Sequence, residues 1–147
     1  MSLEQALEQA LEQTWCALTS VVAEVSDALE LELHRRAGLL GSEYAVLAAA
    51  DAPPRRRASM TELGDAARLS ASGVTRAVSR LVTLGLLERH RDATRDGRLL
   101  WVRLTPAGQE RLGVAREVRA SLLNRELAPR LEDLRRRLGT ESLHPNT

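Results

Sequence analysis

SMTELGDAARLSASGVTRAVSRLVTLGLLERHRDATRDGRLLWVRLTPAG, residues 59–108, holds two short helices, a basic β-hairpin and a helix restart, in that order. Ser59-Met60-Thr61-Glu62 has the form of a capping box, in which a serine and a glutamate three residues on satisfy each other's backbone N–H groups. The helix it opens runs through about Arg68. Leu69-Ser70-Ala71-Ser72 is the turn, and Ser70 is the N-cap of a second helix. That helix runs through about Leu84 and stops at Gly85, a residue suited to a left-handed C′ position. Leu86–Arg91 and Leu99–Leu104 are strand-like, and the polar residues 92–98 between them read as a hairpin tip. Thr105 then caps a new helix with Pro106 at its first position. Helix, turn, helix and basic hairpin form the layout of a winged helix-turn-helix, which puts one helix in a DNA major groove with a finger beside it.

Within the helix Ser70–Leu84, Val74, Val78 and Leu81 share one face. The opposite face carries Ser72, Gly73, Thr75, Arg76, Ser79 and Arg80. Small residues at the helix start admit close approach to DNA, and the N-terminal amides favour phosphate. Arg76 has the reach for a guanine edge or a phosphate. Arg89, Arg91, Arg95, Arg98 and Arg103 cluster on or beside the hairpin. An arginine at such a tip fits a narrow minor groove, and Asp96 can hold Arg98 in a reaching rotamer by a salt bridge across Gly97. A solvated amphipathic helix and a hairpin with weak incidental ion pairs would use the same residues. The order of the elements favours DNA.

Outward from this stretch the chain is helical. Ser2-Leu3-Glu4-Gln5 is another capping box, and Leu3, Leu7, Leu11, Trp15, Leu18, Val22, Val25, Leu29 and Leu33 recur every three or four residues. With no Gly or Pro before Gly38, this predicts one helix of about thirty residues, well beyond the usual 10–14. A small domain does not cover so long an apolar stripe, so a partner subunit is expected to. Ser42–Ala50 is a short helix, broken by Asp51-Ala52-Pro53-Pro54 and followed by Arg55-Arg56-Arg57 in the loop. After the hairpin, Leu112, Ala115, Val118 and Leu122 mark a helix face, Pro129 marks a kink or break, and Leu131, Leu134 and Leu138 resume the stripe. Arg135-Arg136-Arg137 are expected to complement the last helix's dipole, Gly139 to end it, and residues 140–147 to fray. The expected division is a dimerisation helix over 1–34, the DNA-binding region over 35–108 and C-terminal dimerisation helices over 109–147, in one structural domain.

Composition narrows the function classes. All 21 basic residues are arginine, and the net charge of +1 conceals a sorted chain. Residues 1–34 carry seven acids and no Arg, whereas residues 55–103 carry eleven Arg against five acids. A near-neutral protein with one basic segment presents a local anion-binding surface. No apolar run approaches the roughly 20 residues of a membrane span, and the amphipathic, acidic N-terminus is neither a signal nor a transit peptide. The single Cys16 excludes an internal disulfide framework and suits a reducing cytoplasm.

Glu62-Leu63-Gly64-Asp65-Ala66-Ala67, Leu69-Ser70, Val74-Thr75-Arg76, Arg80-Leu81, Leu84-Gly85-Leu86-Leu87-Glu88-Arg89, Asp96-Gly97-Arg98 and Leu104-Thr105-Pro106-Ala107-Gly108 resemble the MarR family. The resemblance implies a mainly α, winged helix-turn-helix transcription regulator with a small antiparallel β-hairpin wing. It implies a homodimer joined by long N- and C-terminal helices, bound to a pseudo-palindromic operator in double-stranded DNA. By the same resemblance the helix Ser70–Leu84 enters the major groove, Arg98 enters the minor groove, and a small aromatic or anionic effector releases a repressor. The DNA-contacting set expected is Ser70, Ser72, Gly73, Thr75, Arg76, Ser79, Arg80, Arg95, Asp96 and Arg98, with Arg55–Arg57 as an outlying contribution. Trp15, His34 and Tyr44 are candidate effector contacts.

Two alternatives stay open. Cys16 is placed as in a peroxide-sensing branch of that family, but Gln13, Thr14 and Trp15 beside it include no base or cation to activate a thiol. A winged-helix interaction module that does not bind DNA is the other. His34, His90 and His144 have no metal-ligand spacing, and no catalytic grouping stands out, so no enzyme, metal or cofactor is expected.

Overall fold

The structure, a computed structural model, describes residues 1–91 and 100–141. In chain order it has α1 (Leu3–Ala37), α2 (Gly41–Ala50), β1 (Ala58–Ser59), α3 (Met60–Ala67), α4 (Ala71–Thr83), β2 (Leu87–Arg91), β3 (Leu100–Leu104), α5 (Pro106–Leu122), a π-helical turn (Leu123–Leu127) and α6 (Ala128–Glu141). It is mainly α, with one small antiparallel sheet. Two compact units divide it: Met1–Leu31 with the residues from Arg119 onward, and Glu32–Val118.

The second unit contains the helix-turn-helix and the wing. The three strands lie in the order β1-β3-β2, all antiparallel, with Ala58 opposite Val102, and β2 paired with β3 from Leu87–Leu104 to Arg91–Leu100. The expected hairpin is present in its described part, and β1 was not expected, because two residues are too few to show an alternation. Strand periodicity sends Leu87, Val102 and Leu104 to one face, where all three are buried. Glu88, His90, Trp101 and Arg103 fall on the other. Val74, Val78 and Leu81 of α4 are buried together with Leu63 of α3 and Val46 and Leu47 of α2.

Local chemistry fixes the joints of this unit. Ser59 Oγ accepts from Glu62 N while the Glu62 carboxylate accepts from Ser59 N, the reciprocal pair expected at the start of α3. At the end of α4, Gly85 N–H bonds Val82 O and Leu86 N–H bonds Leu81 O, with Gly85 at φ +72°. This is a Schellman motif, and the positive φ explains the glycine. Thr105 begins α5 by accepting from Gly108 N and donating its hydroxyl to Gly85 O at 2.6 Å. A Cβ on Gly108 would sit 2.0 Å from Leu86 O, so only glycine lets α5 dock on the turn after α4. The motif Leu104-Thr105-Pro106-Ala107-Gly108 is thus a hinge pin between helix and wing.

In the first unit the apolar stripe of α1 is exposed at Leu3, Leu7, Leu11, Trp15, Leu18 and Val22 and buried at Val25. α1 itself spans 35 residues, longer than the sequence predicts, and leaves the helix at Gly38 with φ +64°. Arg130 of α6 bonds Glu24 of α1, and Ala17 and Val21 line a small cavity with Pro129, Arg130 and Leu134. Three expectations at this end are corrected. The irregularity falls on Leu123–Leu127 and not at Pro129 itself, since a proline ring crowds the carbonyl four residues earlier. α6 does not stop at Gly139 but runs on to Glu141. Arg135 and Arg137 therefore sit inside the helix, paired with Glu132 and Asp133 rather than capping its end.

Candidate nucleic-acid interface

α4 presents the expected face. Ser70 caps it, its Oγ accepting from Gly73 N at 3.1 Å and lying 3.2 Å from Ser72 Oγ. Ser72, Thr75 and Arg76 are exposed, while Gly73 and Ser79 are half-buried. Thr75 donates its hydroxyl to Ala71 O, which leaves its methyl and an oxygen lone pair facing outward. A narrow strip of small side chains with one exposed guanidinium matches what an entering helix requires.

Two members of the expected contact set are bonded to other elements of the unit. Ser79 Oγ accepts from Arg89 Nη2 at 2.8 Å, a link from α4 to β2 on the core side of the sheet. Arg80 Nη1 donates to Glu43 Oε1. Glu43 is 2 % exposed, and its other oxygen accepts from Leu40 N at 2.9 Å. Arg80 is therefore engaged in tying α4 to the start of α2. Sequence reasoning missed Glu43, although it is the only charged residue in Gly41–Ala50 and sits three residues after the N-cap, where an acid bonds free N–H groups.

Arg95, Asp96 and Arg98, the expected wing tip, lie outside the described residues. The base of the wing is within them. Glu88 pairs with Arg103 across the strands, and this bond holds the Glu88 carboxyl below its ordinary range. His90 stacks on Trp101 at 4.3 Å, and its Nε2 lies 3.2 Å from Glu88 Oε1, close but not aligned for a hydrogen bond. Arg55 pairs with Glu62 and Arg56 with Asp51, while Arg57 lies over the Trp101 ring at 4.8 Å.

The expected effector contacts fall in both units. Trp15 belongs to the first unit and is 64 % exposed; His34 is exposed and Tyr44 half-buried in the second. Cys16 is exposed, and its thiol donates to Glu12 Oε1 at 3.6 Å. Its hydrogen-bond partner is an acid, whereas reactive thiols sit beside cations. Among the described residues no group of His, Cys, Asp and Glu could hold a metal, and no helix is long and apolar enough to cross a membrane.

The MarR family model matches residues 37–99. The fold is similar to that of Sco3205, a MarR family transcriptional regulator from Streptomyces coelicolor solved in complex with DNA. The TM-score is 0.71 and the identity 26 %, over 99 % of this chain and 92 % of that one. The transcriptional regulator BldR from Sulfolobus solfataricus matches with a TM-score of 0.70 and 25 % identity, over 95 % and 99 % of the two chains. Overoxidised AbfR bound to DNA shares the fold at a TM-score of 0.64 and 24 % identity, over 94 % and 98 %. No curated protein matches the chain in sequence. The matched segment carries the capped helices, the Schellman turn and strands β1 and β2, and the likenesses extend over nearly the whole chain: residues 37–99 match the MarR family model, and the chain shares the winged helix-turn-helix fold of MarR family transcriptional regulators.

Proposed function

We propose that the chain acts as a homodimer on a pseudo-palindromic operator, with the two α4 helices in successive major grooves about 34–36 Å apart. Ser72, Thr75 and Arg76 face the bases, Ser70 and Arg95 face phosphates, Arg98 enters the minor groove, and Asp96 orients it. The observation that carries this reading is the exposed strip of Ser72, Thr75 and Arg76 on a helix whose other face is fully packed. The DNA-bound state of Sco3205 supports it. The dimer reading rests on the exposed stripe Leu3–Val22, an apolar row that water does not favour. As a regulator the chain represses, and a small aromatic or anionic effector releases it.

The test is an anisotropy titration on an operator selected from random-sequence duplexes. Affinity should fall steeply with added salt, because displaced counterions drive binding to phosphates. Arg98→Ala should weaken binding at least tenfold and leave thermal stability unchanged. No binding at low salt would instead favour an interaction module on the same fold, and an unchanged Arg98→Ala would remove the wing from the interface.

A further inference from the structure

Ser70, Ser72 and Thr75 place exposed hydroxyls at the start of α4, and their protons are not equally free. Ser70 Oγ and Ser72 Oγ lie 3.2 Å apart and share one hydrogen, so one of their two protons stays available to an outside acceptor. Thr75 has a single hydroxyl proton and gives it to Ala71 O at 2.9 Å. Because Thr75 is branched at Cβ, fixing its oxygen against the preceding turn also fixes its methyl in one staggered position. Outward it presents a held methyl and an oxygen lone pair, with no proton to donate.

The surroundings of that methyl are apolar. Ala71, one turn earlier on the same face, is exposed beside it. Thr75 and Ala71 share a depression of about 520 Å³ with Met60, Leu69, Val74 and Leu100, and its wall is largely apolar. In the major groove every base edge offers hydrogen-bonding groups, but only thymine adds an apolar one, its 5-methyl. The guanine edge offers acceptors alone, and a bond to it would cost Thr75 its bond to Ala71 O. Cytosine offers a donor and no methyl. An A·T pair offers the thymine methyl with the adenine amino donor beside it, which matches the methyl and lone pair of Thr75.

We propose that Thr75 is a specificity-determining residue that selects a thymine in each operator half-site. Its methyl, with the Ala71 methyl beside it, packs on the thymine 5-methyl group. The preference comes from apolar burial and not from a hydrogen bond, so it is separate from whatever the Arg76 guanidinium contacts. The inference rests on the reading of α4 as the helix that enters the major groove.

The test is an anisotropy titration on the operator selected from random-sequence duplexes, beside copies in which each thymine in turn is replaced by deoxyuridine in both half-sites. Deoxyuridine lacks only the methyl. Replacement at one position should weaken binding about fourfold per half-site, the worth of one buried methyl group. Thr75→Ser should lose that factor on the thymine operator and bind the thymine and uracil copies alike. Thr75→Val keeps a methyl in the same place without the hydroxyl, and should keep the thymine-to-uracil ratio. Uracil tolerated at every position, or a ratio in Thr75→Ser equal to that of the wild type, overturns the proposal. So does a ratio lost in Thr75→Val, which would make the hydroxyl the reading group. A wild-type chain that binds no duplex at low salt overturns the DNA-binding reading and this proposal with it, whereas operator binding without a uracil-sensitive thymine overturns the role of Thr75 alone.

Discussion

α4 and the first six turns of α1 are built on the same plan and end in opposite states. Both carry an apolar row at three- and four-residue spacing against a polar face. In α4 the row closes on its own unit: Val74 is 2 % exposed, Val78 and Leu81 not at all. In α1 it stays open, with Leu11 at 61 %, Trp15 at 64 % and Val22 at 59 %. Periodicity records that a face must be covered, and the surrounding chain decides by what. α4 can offer its polar strip to DNA because its apolar strip is already used. The residues of α1 up to His34 carry seven acids and no Arg, a charge that repels phosphate.

Charge insertion breaks this comparison most sharply. Leu11→Glu should abolish the dimer, read as a halved mass in sedimentation, and with it high-affinity operator binding, while the fold of Glu32–Val118 survives. Leu81→Ala should do the reverse. It removes a fully buried side chain and should cost about 2–5 kcal/mol of stability, with no change in dimer affinity among molecules that remain folded. If Leu11→Glu leaves the mass unchanged, the open row is not the subunit interface.

Arg80 comes next. The carboxylate of Glu43 is buried and Arg80 is 45 % exposed, so the two partners are not equivalent. Arg80→Met strands a buried anion with one N–H donor and should cost about 3 kcal/mol in denaturant unfolding. Glu43→Gln leaves a guanidinium that water can reach, and should cost roughly 1 kcal/mol. A phosphate contact predicts the opposite pattern for Arg80→Met, a loss of DNA affinity with stability intact.

That asymmetry shows where sequence reading stops. The caps at Ser59 and Ser70, the turn at Gly85 and the restart at Thr105 are legible because each is settled by residues within five positions of one another. Glu43 and Arg80 lie 37 positions apart, and helical phase alone puts Arg80 beside Arg76 on the DNA side. Only the packing of α2 against α4 turns its guanidinium inward. The register of β1 and the contacts of Arg57 with Trp101 and of Glu88 with Arg103 escape for the same reason, since they join residues 57, 88, 101 and 103 across two turns. The π-helical turn escapes because Pro129 marks a disturbance without saying on which turn it falls.

Arg76 is an arginine that α4's packing leaves exposed, and the proposed function assigns it to base reading. Arg76→Ala should cost roughly 1–3 kcal/mol on the selected operator and flatten preference at one base position. The matching measurement is the same variant on a set of single-position operator mutants. An equal loss on every duplex would move Arg76 to a phosphate role and weaken the contrast between the two helices.

The smallest expected effect comes from the two capping boxes, one in each unit. In α1, Gln5 Oε1 accepts from Ser2 N at 2.9 Å and Ser2 Oγ accepts from Gln5 N at 3.2 Å. In α3, Glu62 and Ser59 make the same pair at 2.8 and 3.2 Å. Only the second can titrate. The Ser59 N–H, with Arg55 and Arg57 nearby, holds the Glu62 carboxyl below its ordinary value. A depressed folded-state pKa contributes stability that is complete above the unfolded value of roughly 4.3 and is lost as pH falls through the folded one. Glu62 is half exposed, so solvent screens the effect and global stability should barely register it. Hydrogen exchange at the Ser59 amide should therefore accelerate below about pH 4, beyond its intrinsic pH trend. The Gln5 amide should follow that intrinsic trend alone. Glu62→Gln keeps the geometry of the cap and removes the titration, so its Ser59 amide should lose the extra acceleration. If that acceleration persists in Glu62→Gln, the fraying of α3 in acid begins elsewhere in the unit and the two caps do not differ for the reason given.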